Sequence, residues 1–359
     1  MRKLSSDEKF DFQKKADAIF RHEKKREIKR KKLRLAKEKQ KIKERLVKKF
    51  DKTPKKIPHE NCKAPELFSV TQEPVSVIKY FEQAGRAFQN KLPVIFDLSL
   101  VKEMDTATLT LLCARVSDKK FVNGNLLKGN VPQVPELKEM FVQSGFYNFV
   151  ISRVSSSGHL KDEYGELIHR VTRKKVESEL AGKVCLSAIS HTYESDSLKI
   201  QNLYKIVIEC MANTWNHASG GQADEEYNWW LLAYKEKNTN ITKFCFLDLG
   251  VGIFGSLDQK YKKKSMPRRL LQFFVPDDNI KTLQQIFSGD VKTSTNKPER
   301  GRGINNIYNL VKGEAGIRNF SLITNNVHSK IGYNTPDQII TISQDFPGTL
   351  YYWELVPNL

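Results

Sequence analysis

The chain has 359 residues, 39% of them hydrophobic, and a net charge of +19; that length favours two compact units over one small domain. No apolar run approaches the ~18 residues of a membrane span, and no apolar stretch near the N-terminus has the form of a secretory signal. Five scattered cysteines, none in a CxxC pair, predict reduced thiols in the cytosol rather than disulfides or a structural zinc site.

The charge is concentrated at one end: residues 1–60 hold 24 Lys and Arg against 10 Asp and Glu. Residues 5–52 lack Gly and Pro and are rich in Lys, Glu, Ala, Gln and Leu, which predicts a basic helical arm over 1–56. Such a segment attracts polyanions, so nucleic acid bound without sequence preference, or an acidic protein, is the expected partner. Few aromatics accompany the charge, which argues against base stacking. Self-association is a further option. His22 lies among these charges and reads as a solvated helix residue.

From 62 to 155 the signals alternate. VSVIKYFEQAGRAF predicts a helix, LPVIFDLS a strand, DTATLTLLCARVSD a helix with Leu109, Leu112 and Val116 on one side, and PELKEMFVQSGF another helix. A second strand is expected near Asn123 to Gly129. Alternation of this kind predicts a small α/β domain. Residues 156–195 are polar and read as a connector. From 196 to 359 the pattern becomes one long helix, strands around WWLLAYKE and TKFCFLDLG, a basic irregular stretch, the turn and helix GRGINNIYNLV, and closing strands FSLITNN and TLYYWELV.

Three elements of this half carry chemistry. In NLYKIVIECMANTWNHA, helical spacing puts Leu203, Val207, Cys210 and Thr214 on one face and Glu209, Asn213, Asn216 and His217 on the next. In FCFLDLGVGIFG an apolar strand ends in Asp248, followed by Gly250 and Gly252, with Ile253 beside them. A carboxylate there can accept from an exocyclic amine, and the glycines let a backbone approach a flat ring. In ERGRGINNIYNLV, Gly301, Arg302 and Gly303 lead into a helix whose free N–H groups favour phosphate.

Taken in order, ExxxNxxxH at 209–217, DLGVGI at 248–253, GRGI at 301–304 and the closing FPGTLYYWELVP at 346–357 resemble the motifs of the GHKL ATP-binding fold of gyrases, histidine kinases and anti-sigma-factor kinases. The resemblance implies an α/β sandwich over 196–359, a mixed sheet with helices on one face, binding ATP and Mg²⁺. It implies that Asn213 ligates Mg²⁺, that Glu209 activates a water or a substrate hydroxyl, and that Asp248 takes the adenine amino group. Gly250 and Gly252, with Ile253, would flank the base. Gly301, Arg302 and Gly303 would meet the phosphates, and Thr349 would lie behind the adenine. His217 is open between a solvent-facing residue and one near phosphate. Residues 254–300 would be the ATP lid, with KYKKKSMPRR as its basic centre and Lys292, Thr293 and Ser294 near its end.

LPVIFDLSLVKEMDTATLTLLCA and VPELKEMFVQSGFYNFV resemble STAS (anti-sigma-antagonist) domains. Where regulatory members of that family carry a phosphorylated Ser, this chain has Ala107, so phospho-switching at that position is not expected; Thr106 or Thr108 could substitute, although a Thr at a helix start reads first as a cap. The joint expectation is an ATP-dependent cytosolic regulator with slow ATPase activity; a protein Ser/Thr kinase and a nonenzymatic nucleotide-stabilised adapter are the alternatives.

Overall fold

Asp105 starts the central helix of the N-terminal half by accepting from the backbone N–H of Thr108 at 2.5 Å, a side-chain N-cap. In this computed structural model the described residues are 37, 58–144, 146, 165–172, 176–193, 197–217, 227–236, 239–262, 278–290 and 302–357. Apart from Lys37, which is helical, the basic arm with its partner sites lies outside them, as do the basic lid centre from 263 and Gly301. Contacts gather residues 59–359 into one compact unit, which the following describes.

Its N-terminal lobe is a three-stranded parallel sheet in the order β1-β3-β5: β1 (Glu60–Lys63), β3 (Val94–Asp97) and β5 (Leu127–Gly129). A two-residue parallel pair, β2 (Leu67–Phe68) and β4 (Glu103–Met104), lies beside it. Parallel neighbours need crossovers. These are α1 (Pro74–Gln89), then α2 (Thr106–Ser117) with the short α3 (Lys119–Val122). Helix α1 opens on Pro74, whose missing N–H is harmless in a first turn. It buries Val77, Phe81, Ala84 and Phe88 at helical spacing. Helix α4 (Pro135–Gln143) follows.

The C-terminal lobe is a five-stranded sheet in the order β6-β7-β8-β10-β9: β6 (Gly165–Thr172), β7 (Tyr227–Lys235), β8 (Thr242–Asp248), β9 (Ile317–Ile331) and β10 (Gln338–Leu355). Every neighbouring pair is antiparallel. The expected mixed sheet is therefore corrected for this lobe; few residues separate β7 from β8 and β9 from β10 in sequence, and short links suit antiparallel pairs. One face carries α5 (Ser178–Thr192), α6 (Ser197–His217), α7 (Gly252–Lys262), α8 (Asn279–Ser288) and α9 (Gly303–Gly313). The connector expected over 156–195 is also corrected, because β6 pairs with β7 throughout its length and α5 packs into the core beside α6.

Alternation along the strands explains how the lobes fit together. Trp229, Leu231, Phe244, Phe246, Tyr351 and Trp353 point under the lobe's own helices. Trp230, Leu232, Tyr234, Cys245, Leu247, Leu350 and Tyr352 point the other way, into one cluster with α1 and α2. The runs WWLLA, FCFLD and LYYW are apolar at successive positions because both faces of the sheet are covered. Helix α2 is buried at every position from Thr106 to Ala114, as an element packed on all sides must be.

Among the described residues no helix is long and apolar enough to cross a membrane, and all five cysteines are free and buried.

Candidate functional site

Helix α6 turns Leu203, Ile206, Val207, Cys210 and Met211 into the core. Glu209 and Asn213, one turn apart, share its more polar side. The next residue, Thr214, is buried and donates to the Cys210 carbonyl at 3.2 Å; its hydroxyl lies 3.5 Å from Asp248 Oδ2. Helix α6 thus reaches the end of β8 through Thr214.

Asp248 ends β8 almost wholly buried. Burial pushes its carboxyl up to about 7, against hydrogen bonds from Gly250, Thr214 and Thr349 that favour the charged form. The Gly250 N–H donates to Oδ1 at 3.1 Å. Thr349 is the residue of β10 opposite Asp248, and it is buried.

The turn after β8 is held by residues that the sequence reading did not single out. Gly252 has φ +72°, and a Cβ there would lie 2.3 Å from Asn325 Oδ1. Asn325 Oδ1 accepts from Phe254 N at 3.1 Å, and its Nδ2 donates to the Val251 carbonyl at 3.0 Å. Thr324 Oγ1 accepts from Ile253 N at 3.0 Å and donates to the Gly348 carbonyl at 3.1 Å. The first N–H groups of α7 are therefore satisfied within the chain, and glycine at 252 is required by its own backbone and by Asn325. The pairing of Thr or Asn side chains with a glycine turn some seventy residues away leaves no local signature in sequence.

Helix α9 begins differently. Arg302, exposed, precedes it and makes no side-chain cap, and Gly303 is its first residue. A Cβ on Gly303 would lie 2.8 Å from Asn213 Oδ1 and 2.8 Å from Glu209 Oε2. Two acceptor oxygens thus converge on the uncapped start of a helix. Asn213 Nδ2 donates to the hydroxyl of buried Tyr351 at 3.2 Å, which turns Oδ1 toward Gly303. Asn306 Nδ2 donates to Glu209 Oε1 at 2.8 Å. Tyr351 and Asn306 also escaped the sequence reading.

Of the sequence-predicted residues, Glu209, Asn213 and Gly303 come together, and Asp248, Gly250 and Thr349 form a second group joined to α6 through Thr214; Gly252 and Ile253 follow in the turn, and Arg302 precedes α9. His217 closes α6, and its side chain, like Gly301, lies outside the described residues.

Two converging oxygens, neither accepting a hydrogen bond from another of the described residues, suit a hard cation that takes few protein ligands and completes its shell with phosphate and water. Among the described residues no three His, Cys, Asp or Glu side chains cluster as a metal site of their own, so a cation here would depend on such outside ligands. A separate cleft of about 1320 Å³ opens between α4 and the β9–β10 turn. None of the polar cluster lines it, and ion pairs such as Lys243–Glu236 at 2.6 Å satisfy charges along it.

No protein-family model matches this chain, and no curated protein matches it.

Proposed function

We propose that this protein binds ATP in a GHKL-type pocket formed by α6, the end of β8, Thr349 and the start of α9, and hydrolyses it slowly. The observation that carries the proposal is the meeting of three remote segments. Gly303 packs so that a Cβ there would meet Asn213 Oδ1 and Glu209 Oε2 of α6, while Thr214 of α6 reaches buried Asp248.

Asp248 accepts from the adenine amino group; guanine would set a carbonyl oxygen against it. A site built on such a hydrogen bond rejects the wrong partner by roughly 10⁴-fold or more. The uncapped N–H groups of α9 and Arg302 meet the phosphates. Asn213 Oδ1 would hold Mg²⁺, which would supply positive charge against the phosphates. Glu209 orients a water and takes its proton as the water oxygen bonds to the γ-phosphorus and the bond to the ADP oxygen breaks. The start of α9 at Gly303 leaves no room beside Glu209 and Asn213, so nucleotide entry requires the first turn of α9 to give way.

The N-terminal lobe, which we read as STAS-like, is a fixed cover on the outer face of the sheet rather than a phosphorylated switch. Thr106 and Thr108 are both buried.

Incubation with γ-labelled ATP and Mg²⁺ tests the reading. Labelled free phosphate that disappears in Glu209→Ala supports it. Label on protein would replace hydrolysis by a kinase reaction, and neither product, with ATP still bound, would leave a nucleotide-stabilised adapter.

A further inference from the structure

The two adjacent asparagines of α9, Asn305 and Asn306, reach two different elements. Asn305 Nδ2 donates to the Phe287 carbonyl at the end of α8, at 2.6 Å. The same two helices are joined by the stacked rings of Phe287 and Tyr308, 4.7 Å apart and 14° from parallel. Asn306 Nδ2 donates instead to Glu209 Oε1 on α6. One residue therefore ties α9 to α8, inside the segment expected to cover the nucleotide, and its neighbour ties α9 to the carboxylate.

The chemistry of the second contact is directional. A carboxylate only accepts, so the amide must present its NH₂ group to Glu209. That hydrogen bond occupies Oε1 and leaves Oε2 facing Gly303 and Asn213 Oδ1, the place where a phosphate and its attacking water would sit. A glutamate on a helix surface has several rotamers; a donor on one oxygen selects the one in which the other oxygen faces the site. Asn306 is exposed, so an ordinary helix tether is the plain competing account. Such a tether would act through contact and shape alone, whereas the orientation of Glu209 depends on the donated hydrogen.

Resting on the ATPase reading above, the geometry points to Asn306 as a positioning residue that holds Glu209 in its water-activating orientation while α9 is docked, linking the carboxylate to α8 through Asn305. Asn306→Ala and the isosteric Asn306→Asp, which replaces the donor by an acceptor, are compared with the full-length wild type for kcat, KM and ATP affinity.

The expected result is a kcat lowered about tenfold or more in both variants, with KM, ATP affinity and the unfolding midpoint nearly unchanged. Loss of ATP affinity and folding stability with kcat retained would show a structural tether and overturn the proposal. Turnover abolished by Glu209→Gln but indifferent to both Asn306 variants would overturn it and leave the ATPase reading standing. Wild-type protein that binds no ATP, or binds it without releasing phosphate, would overturn the ATPase reading and this proposal with it.

Discussion

Gly348 lies directly against the backbone of Asp248: a Cβ at position 348 would come within 2.0 Å of the Asp248 carbonyl oxygen and 3.0 Å of the Gly250 nitrogen. Gly348 also has φ +129°, a conformation that side chains resist. The close approach of β10 to the end of β8 thus depends on a residue with no side chain. Gly348→Ala should lower the unfolding free energy by at least about 2 kcal/mol, since strain and a backbone clash act together. Gly313→Ala, where nothing lies within 4 Å, should change it by no more than about 1 kcal/mol. Urea unfolding of both variants checks the contrast.

Asp248 gives the fold a dependence on pH. Its folded value of about 7 lies above the 3.8 of an exposed aspartate, because burial favours the neutral acid. The folded chain therefore keeps a proton that the unfolded chain releases between about pH 4 and pH 7. The stability from this group is complete at the acid end of that window and is lost as pH rises through about 7. For one such group the slope approaches roughly 1.4 kcal/mol per pH unit. Asp248→Asn should flatten the slope, measured by urea unfolding across pH 5 to 8.

Thr108 is structural. Its buried Oγ1 accepts from the Val70 N–H at 2.7 Å, bracing the loop before α1 against the start of α2. Thr108→Val leaves that N–H unpaired and should cost about 1–3 kcal/mol, whereas Thr108→Ser keeps the acceptor and should lose clearly less. Thr108→Glu should unfold the lobe rather than switch it, because a charge at this fully buried position loses its hydration. Thermal melts of the three variants distinguish these outcomes.

The two lobes should not survive separation. Without residues 59–155, Trp230, Leu232, Tyr234, Leu247, Leu350 and Tyr352 lose their cover, an apolar area that folded monomers rarely expose. A fragment of residues 156–359 is expected to aggregate or elute as a soluble oligomer on size exclusion. A well-folded monomeric fragment would show that the lobes are independent.

The polar face of α6 was legible because Glu209 and Asn213 repeat at one helical turn, and Asp248 because it ends an unbroken apolar strand. What escaped notice depends on pairings across long stretches of chain. Tyr351 meets Asn213, Asn325 supports Gly252, and Asn306 reaches Glu209, and none of these partners is near the other in sequence. Strand β6 and helix α5 read as a connector because residues 156–195 are polar and carry no clear periodicity. Leu109, Leu112 and Val116 are buried as their spacing predicts, but α2 is buried on its other sides as well. The burial of its threonines became explicable only once the second lobe's sheet was seen against them.

The most direct test of the central claim is nucleotide binding to the full chain, measured calorimetrically with Mg²⁺ for ATP and GTP, in wild type and in Asp248→Asn. The account predicts saturable ATP binding, GTP bound more weakly by roughly 10⁴-fold or more, and loss of ATP binding in the variant while the fold persists. No ATP binding by the wild type, or unchanged ATP affinity in Asp248→Asn, would contradict it.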